Sequence, residues 1–383
     1  MSLNADQTRR YARHLILPEV GPEGQRKICS AAVLCIGAGG LGSPVLLYLA
    51  AMGVGRLGVV DEDRVDPSNL QRQVLHGTPD VGRLKTESAR DALHRLNPHC
   101  QVELHSARLS AANALDLVRA YDVVVDGTDN FTARYLVNDA CVFLQKPDVS
   151  GAIFRFEGQA SIFAPHLGGP CYRCLFPEPP PAHLAPSCAE AGVIGVLPGL
   201  LGCIQAAETL KLILGIGRSL VGRLLLVEAL GMRFREVKVR PDPACALCGP
   251  NPRITEITEY APTCASPARP TSDTPMNNDE VSVQDLKRAL DDPGLGIQII
   301  DVREPNEQQV ARLEGVPLLP LATLPTRLHE FDPDRPLYVF CRSGVRSLRA
   351  VQFLKQQGFA QARSVHGGIL AWSDQIDPRV PKY

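Results

Sequence analysis

A chain of 383 residues, 45% of them hydrophobic, is too long for one typical domain and apolar enough for ordinary buried cores, so two or three domains are expected. Lys and Arg number 40 against 41 Asp and Glu, a net charge of −1, which leaves no basic footprint for nucleic acid. The opening Met1-Ser2-Leu3-Asn4-Ala5-Asp6 carries no apolar secretory stretch, so the 12 cysteines point to a reducing, cytoplasmic compartment, where paired cysteines bind metal or do chemistry more often than they form disulfides.

Taken alone, Arg9-Arg10-Tyr11-Ala12-Arg13-His14 reads as a solvated N-terminal helix. Val33–Ile36 reads as a buried strand that turns on glycines into a helix over Leu41–Met52. Gly37, Gly39 and Gly42 fit the spacing G-x-G-x-x-G, which lets backbone approach a phosphate at a helix N-terminus. The next strand, Leu57–Val60, ends in Asp61, where a carboxylate can accept from ribose hydroxyls. A loop follows through Ser68-Asn69-Leu70-Gln71-Arg72-Gln73, and Lys85 opens a helix that stops at Asn97-Pro98. A strand at 101–105, a helix near 111–120 and a strand at Tyr121–Asp126 come next, the last leading into Gly127-Thr128-Asp129-Asn130. This alternation predicts a doubly wound α/β domain whose ligand sits at the carboxyl ends of its strands.

Beyond a strand at Gly158–Pro165 lie Cys171-Tyr172-Arg173-Cys174 and a proline-rich loop that carries Cys188. The apolar run Gly192–Ile216 contains Gln205, Glu208 and Lys211, so it reads as a buried helix and not as a membrane span. Leu224–Glu228 and Arg235–Val239 predict a hairpin, and Cys245-Ala246-Leu247-Cys248 closes the first domain, placed at residues 1–254. Residues 255–278, rich in Pro, Ser, Thr and Asn, fit a linker. A small α/β domain follows at 279–383, with Ser282 capping a helix, strands at Ile297–Val302 and Leu337–Phe340, and Cys341-Arg342-Ser343-Gly344-Val345-Arg346 leading into a helix near 346–357.

Each cluster suggests a chemistry. A dinucleotide is anchored mainly by backbone amides, whereas a triphosphate needs fixed cations and a divalent metal. Arg72 and Lys85 can supply the cations, and Asp129 can hold Mg²⁺. Cys171, Cys174, Cys245 and Cys248 form two Cys-x-x-Cys pairs, the donor set of a structural, four-coordinate Zn²⁺. Cys341 opens a loop whose amides can curl around its sulfur, with Arg342 and Arg346 adding positive charge, which favours a thiolate or a persulfide anion. Cys188 is a candidate nucleophile or transient disulfide partner, whereas Cys29, Cys35, Cys100, Cys141 and Cys203 read as packing residues and Cys264 as a linker thiol.

Residues 1 to about 252 resemble the ThiF/MoeB-type adenylyltransferases, relatives of ubiquitin-activating enzymes, through Arg10–Arg13, Gly37–Gly42, Asp61, Ser68–Arg72, Lys85, Thr128–Asn130, both cysteine pairs and Cys188. Residues 279–383 resemble a rhodanese domain through Asp301–Glu304, Cys341–Arg346 and His366-Gly367-Gly368. The fusion is similar to the molybdopterin-synthase adenylyltransferase/sulfurtransferases.

The resemblance implies that ATP and Mg²⁺ activate the C-terminal Gly-Gly carboxylate of a ubiquitin-like sulfur carrier as an acyl-adenylate. A persulfide on Cys341 then delivers sulfur. It implies nucleotide contacts from Gly37, Gly39, Gly40, Gly42, Asp61, Ser68, Asn69, Leu70, Gln71, Arg72, Lys85, Asp129 and Asn130. It further implies a homodimer in which Arg13 reaches the partner subunit's ATP, a covalent or reductive role for Cys188, and a persulfide donor such as a cysteine desulfurase or thiosulfate. Molybdopterin, thiamine, cysteine and tRNA thiolation all remain open as the pathway served. An NAD-dependent oxidoreductase using the same glycine turn and a non-catalytic sulfur-relay scaffold are the alternatives.

Overall fold

The computed structural model describes residues 3–179, 192–259 and 277–383. The chain divides into two compact units, residues 1–264 and 265–383.

In the first unit, α1 (Ala5–Arg10), α2 (Ala12–Leu15) and α3 (Gly21–Ser30) precede β1 (Ala32–Ile36). Then come α4 (Gly42–Met52), β2 (Arg56–Val60), α5 (Lys85–Leu96), β3 (Gln101–His105), α6 (Ala114–Arg119), β4 (Val123–Asp126) and α7 (Phe131–Phe143). The unit continues with β5 (Asp148–Phe154), β6 (Glu157–Phe163), α8 (Val196–Leu214), β7 (Arg223–Glu228) and β8 (Arg233–Lys238). The strands form one sheet in the order β3-β2-β1-β4-β5-β6-β7-β8. Its first five strands run parallel, and β6, β7 and β8 continue it antiparallel.

Residue alternation along β1 builds both layers. Val33 and Cys35 face a core with Val45, Leu46 and Leu49 of α4, Leu93 of α5, and Leu197 and Leu201 of α8. Ala32, Leu34 and Ile36 face the opposite core with Val118 of α6 and Leu136, Val137 and Ala140 of α7. Ile257 packs on that second core, so the first unit's packing runs past residue 254. Helix α8 is long and apolar enough to cross a membrane, but half of it is buried within the unit. Its Gln205 donates to the carbonyls of Asp126 and Val149, and its Glu208 accepts from the Leu220 amide. Polar groups spent on the sheet in this way suit a core helix.

Helices α1 and α2 bury no residue, but Tyr11 between them is 1% exposed. Its hydroxyl accepts from Asn97 Nδ2 at 2.9 Å, and Asn97 also donates to the Ala50 carbonyl. A Cβ on Gly53 would lie 2.4 Å from the Tyr11 ring, so only glycine leaves room for this peg. The expected solvated helix is therefore pinned at one residue, which fixes where Arg13 emerges.

The second unit contains β9 (Glu280–Val281), α9 (Val283–Asp291), β10 (Gln298–Asp301), α10 (Pro305–Val310), β11 (Leu337–Phe340), α11 (Val345–Gln356), β12 (Ala362–Val365) and α12 (Gly368–Gln375). Its parallel sheet has the order β10-β11-β12-β9. Ser282 caps α9 and exchanges hydrogen bonds with Asp285, as its position in the sequence predicts.

Asp148, at the start of β5, is fully buried, and among the described residues neither of its carboxylate oxygens has a hydrogen-bond partner. Burial pushes its carboxyl well above the usual range, and the charge of Asp126 pushes it further. Such a group costs nothing while both folded and unfolded chains are protonated, and it costs stability as pH rises through the unfolded value. Asp148→Asn is therefore expected to match the parent in stability near about pH 4 and to exceed it by about 1–3 kcal/mol at neutral pH. Urea unfolding across that range checks this; equal stability of the two proteins at pH 7 would refute it.

Candidate functional sites

The glycine turn lies at the carboxyl end of β1, between β2 and β4. A Cβ at Gly42 would sit 1.9 Å from the Gly37 carbonyl oxygen, and Gly37 has φ +96° and abuts Gly127. No other residue permits this approach, which brings the start of α4 against the strand end. Asp61 stabilises the turn by accepting from the Ala38 amide at 2.8 Å and from the Asp63 amide at 2.9 Å. Burial raises the Asp61 carboxyl, and the nearby charge of Lys85 opposes that shift. The Lys85 amino group lies 2.7 Å from Asp63 and 3.9 Å from Asp61, with its side chain only 6% exposed.

The loop after β2 is built on side-chain turns. Asp66 Oδ1 accepts from the amide and the hydroxyl of Ser68, and Asn69 Oδ1 accepts from Arg72 Nη2 at 2.8 Å. Arg72 thereby lies beside the glycine turn: a Cβ on Gly40 would be 3.5 Å from its side chain. The Leu70 amide donates to the Pro67 carbonyl, and the Gln71 carbonyl is so close to Gly195 that a Cβ there would be 2.1 Å away. These contacts seat the loop against the segment that leads into α8.

Three residues not anticipated from sequence fix this end of the sheet. His76 Nε2 donates to the Ala38 carbonyl at 2.9 Å, which leaves Nδ1 to accept from the Ser88 hydroxyl at 2.8 Å. Burial lowers the His76 pKa, so the ring stays neutral. Buried Asp126 accepts from the amide and hydroxyl of Thr128, and Arg134 bonds both Asp126 and the Thr128 carbonyl. Together they set the turn that presents Asp129 and Asn130. Asn130 caps α7 through the Ala133 amide, whereas exposed Asp129 has no hydrogen bond or ion pair among the described residues. Arg13 is exposed on α2. Only the spacing of His76 from the glycine turn could have hinted at its role, because its partners are 38 and 12 residues away.

The four paired cysteines meet. Their sulfurs all lie within 4.8 Å of one another, at 3.8 Å for Cys171–Cys174, 3.5 Å for Cys171–Cys245 and 3.4 Å for Cys174–Cys248. A tetrahedral Zn²⁺ with bonds of about 2.3 Å requires edges of about 3.8 Å, so the cluster fits that ion. Between the first pair, Arg173 forms a buried two-toothed bridge to Asp139 of α7 at 2.8 and 2.7 Å, which anchors the turn.

In the second unit, Cys341 follows β11 and is fully buried. Its sulfur accepts from the Gly344 amide at 3.1 Å and the Ser347 amide at 3.4 Å, with the Ser347 hydroxyl at 3.3 Å. Gly344, at φ +93°, makes the curl possible, with Ser343 before it and Val345 opening α11 after it. Arg346 bridges to Glu307 through both terminal nitrogens, at 2.5 and 2.6 Å. Arg342 Nε donates to the Tyr383 main-chain oxygen at 2.5 Å. Cys188 and Cys264 lie outside the described residues.

Fold and sites define an α/β unit of the nucleotide-binding kind carried in one chain with a unit that cradles a cysteine sulfur in backbone amides. The ThiF family matches residues 11–247, and the rhodanese-like domain matches residues 282–375. The chain belongs to the ThiF family and carries a C-terminal rhodanese-like domain. It is 45% identical over its whole length to the Mycobacterium tuberculosis protein named probable adenylyltransferase/sulfurtransferase MoeZ, of which 97% is covered. It is 43% identical over its whole length to the Bos taurus adenylyltransferase and sulfurtransferase MOCS3, of which 89% is covered. Among solved structures, E. coli MccB shares the fold at a TM-score of 0.57 and 20% identity, covering 66% of this chain and 74% of that one.

The cysteine cluster gives a direct test. Cys248→Ser is expected to lower the zinc content of the purified protein from about one ion per chain to near zero and to destabilise it by several kcal/mol. Metal analysis by emission spectrometry together with thermal unfolding measures both, and zinc-free parent protein of unchanged stability would contradict the assignment.

Proposed function

We propose that this chain adenylates the C-terminal carboxylate of a ubiquitin-like sulfur carrier with ATP and then converts it to a thiocarboxylate with sulfur from Cys341. The observation that carries the reading is the pairing, in one chain, of a cation-flanked glycine turn with an amide-cradled cysteine. Full-length relatives that carry both activities in their names support it. An oxidoreductase is not supported, because the family and the relatives named point elsewhere. A relay scaffold without catalysis is likewise not supported.

The amides at Gly39–Gly42 and the start of α4 hold the phosphates, Gly37 gives the turn its shape, and Asp61 accepts from the ribose. Arg72, oriented by Asn69, and Lys85 neutralise the polyphosphate, with the Lys85 amino group shared from Asp63. Ser68, Leu70, Gln71 and Asn130 shape the nucleotide's surroundings. Asp129, whose carboxylate has no partner among the described residues, would hold Mg²⁺, which would supply charge compensation to the phosphates. The carrier's carboxylate oxygen attacks the α-phosphorus and pyrophosphate leaves, so the protein's share is mainly orientation and charge stabilisation. The terminal sulfur of a Cys341 persulfide then attacks the acyl carbon and AMP leaves. This leaves an acyl disulfide on Cys341; the thiolate of a second cysteine, for which Cys188 is the candidate, attacks the Cys341 sulfur, the S–S bond breaks, the thiocarboxylate leaves with the electron pair, and the two cysteines are left as a disulfide.

Zn²⁺ on the four cysteines is structural, since four protein ligands leave no open position. The reliance on free thiols suits the cytoplasm. The persulfide comes from a cysteine desulfurase or thiosulfate.

ATP–pyrophosphate exchange with candidate Gly-Gly-ending carriers tests the first step. Arg72→Ala and Lys85→Ala are expected to lower exchange by about 100-fold or more. Cys341→Ala is expected to retain exchange yet yield no thiocarboxylate by mass spectrometry. Loss of exchange in Cys341→Ala would sink this division of labour.

The same reading makes the enzyme a homodimer whose Arg13 serves the partner subunit's nucleotide. Mixing Arg13→Ala with Arg72→Ala protein, each inactive alone, should restore about a quarter of parental exchange, because half the dimers are mixed and each mixed dimer has one intact site. No recovery after verified subunit exchange would exclude the shared site.

A further inference from the structure

The two arginines of the Cys341 loop already reach acceptors inside the protein, and Tyr383 touches Arg342 directly and Arg346 through Glu307. Its hydroxyl accepts from Arg303 Nη1 at 2.6 Å and donates to Glu307 Oε1 at 3.1 Å. Its ring lies under two guanidinium groups, Arg342 at 5.5 Å and Arg303 at 5.8 Å, and its main-chain oxygen takes the Arg342 Nε–H. Glu307 in turn holds Arg346 by both nitrogens, and Arg303, fully buried, is forked onto Asp301. Both arginines of the sulfur loop therefore reach internal acceptors, and one aromatic residue contacts either them or their partners.

A free oxyanion such as thiosulfate, with two negative charges, needs charged donors to offset its desolvation. A persulfide carried on a thiol needs only the amide cradle at Gly344 and Ser347. We propose that Tyr383 is a specificity-determining residue that disfavours free oxyanion sulfur donors and favours thiol-borne persulfides. The inference rests on the sulfurtransferase reading above.

The reactions compared are balanced. With thiosulfate, the Cys341 thiolate attacks the outer sulfur, the S–S bond breaks, and sulfite leaves with the electron pair. With glutathione persulfide, the same attack expels glutathione thiolate. Cyanide then removes the terminal sulfur as thiocyanate and restores the thiolate.

Steady-state assays on the full chain with each donor decide the matter. Tyr383→Ala, which removes the ring from the Arg342 guanidinium and the hydroxyl from Glu307 while leaving the main-chain acceptor of Arg342, is expected to lower KM for thiosulfate by at least about fivefold while kcat/KM for glutathione persulfide stays within about twofold. Glu307→Gln, which releases Arg346 and leaves the aromatic peg in place, is expected to shift thiosulfate KM the same way. An unchanged or raised thiosulfate KM in Tyr383→Ala overturns the inference, and a fall confined to Glu307→Gln assigns the restriction to Arg346 alone and overturns it too. If neither donor loads Cys341 in the parent protein, the sulfurtransferase reading itself fails.

Discussion

The approach of the Gly42 backbone to the Gly37 carbonyl sets the geometry of the nucleotide end. With no side chain between them, the first turn of α4 lies directly on the end of β1. Its unpaired amides then face the space bounded by the β2 and β4 ends. The neighbouring contacts serve this closeness. Asp61 occupies the Ala38 amide, His76 occupies the Ala38 carbonyl, and Gly127 leaves room for Gly37. The loop is thus held from three sides before any ligand arrives, and pre-ordered amides stabilise developing charge without reorganising.

The elements legible in the sequence were those decided by local periodicity. Alternation along Ala32–Ile36, the glycine spacing, the Ser282 cap and the Cys-x-x-Cys pairs each concern residues a few positions apart. The residues that were not legible depend on partners far along the chain. Tyr11 reads as one position in a charged helix until Asn97 and Gly53 enclose it. Arg134 reads as an ordinary helical arginine until Asp126 and the Thr128 carbonyl receive it. Glu307 and Tyr383 lie 39 and 41 positions from their loop arginines. Their pairing is a property of the packed sheet and leaves no mark in local sequence.

Asp148 illustrates the converse. Strand and burial patterns accommodate a short side chain at its position, yet the structure surrounds it with no donor. A locally acceptable residue can be globally unfavourable, since a buried carboxylate without a partner costs more than its contacts return. Asp126, which lies on the same face, differs by receiving Thr128 and Arg134. Two aspartates of similar burial therefore have opposite consequences, one organising the site and one weakening the core beneath it.

The two reactive centres use the same backbone device and differ in how they treat charge. Each is a strand end that turns through glycine into a helix with amides facing inward, those of Gly344 and Ser347 onto the Cys341 sulfur and, on the proposed reading, those of the glycine turn onto a phosphate. At the first, Lys85 already faces Asp63, but Arg72 is oriented among the described residues by a neutral amide oxygen and a carbonyl, so on the proposed reading its charge is available to the substrate. At the second, Arg346 is matched by a carboxylate and Arg342 by Tyr383. On the proposed reading, a nucleotide triphosphate brings its own excess of negative charge and draws on a cation oriented by neutral groups. A cysteine-borne sulfur must later be released, so a cradle of amides whose neighbouring arginines already have acceptors keeps the loop in shape without holding the sulfur back.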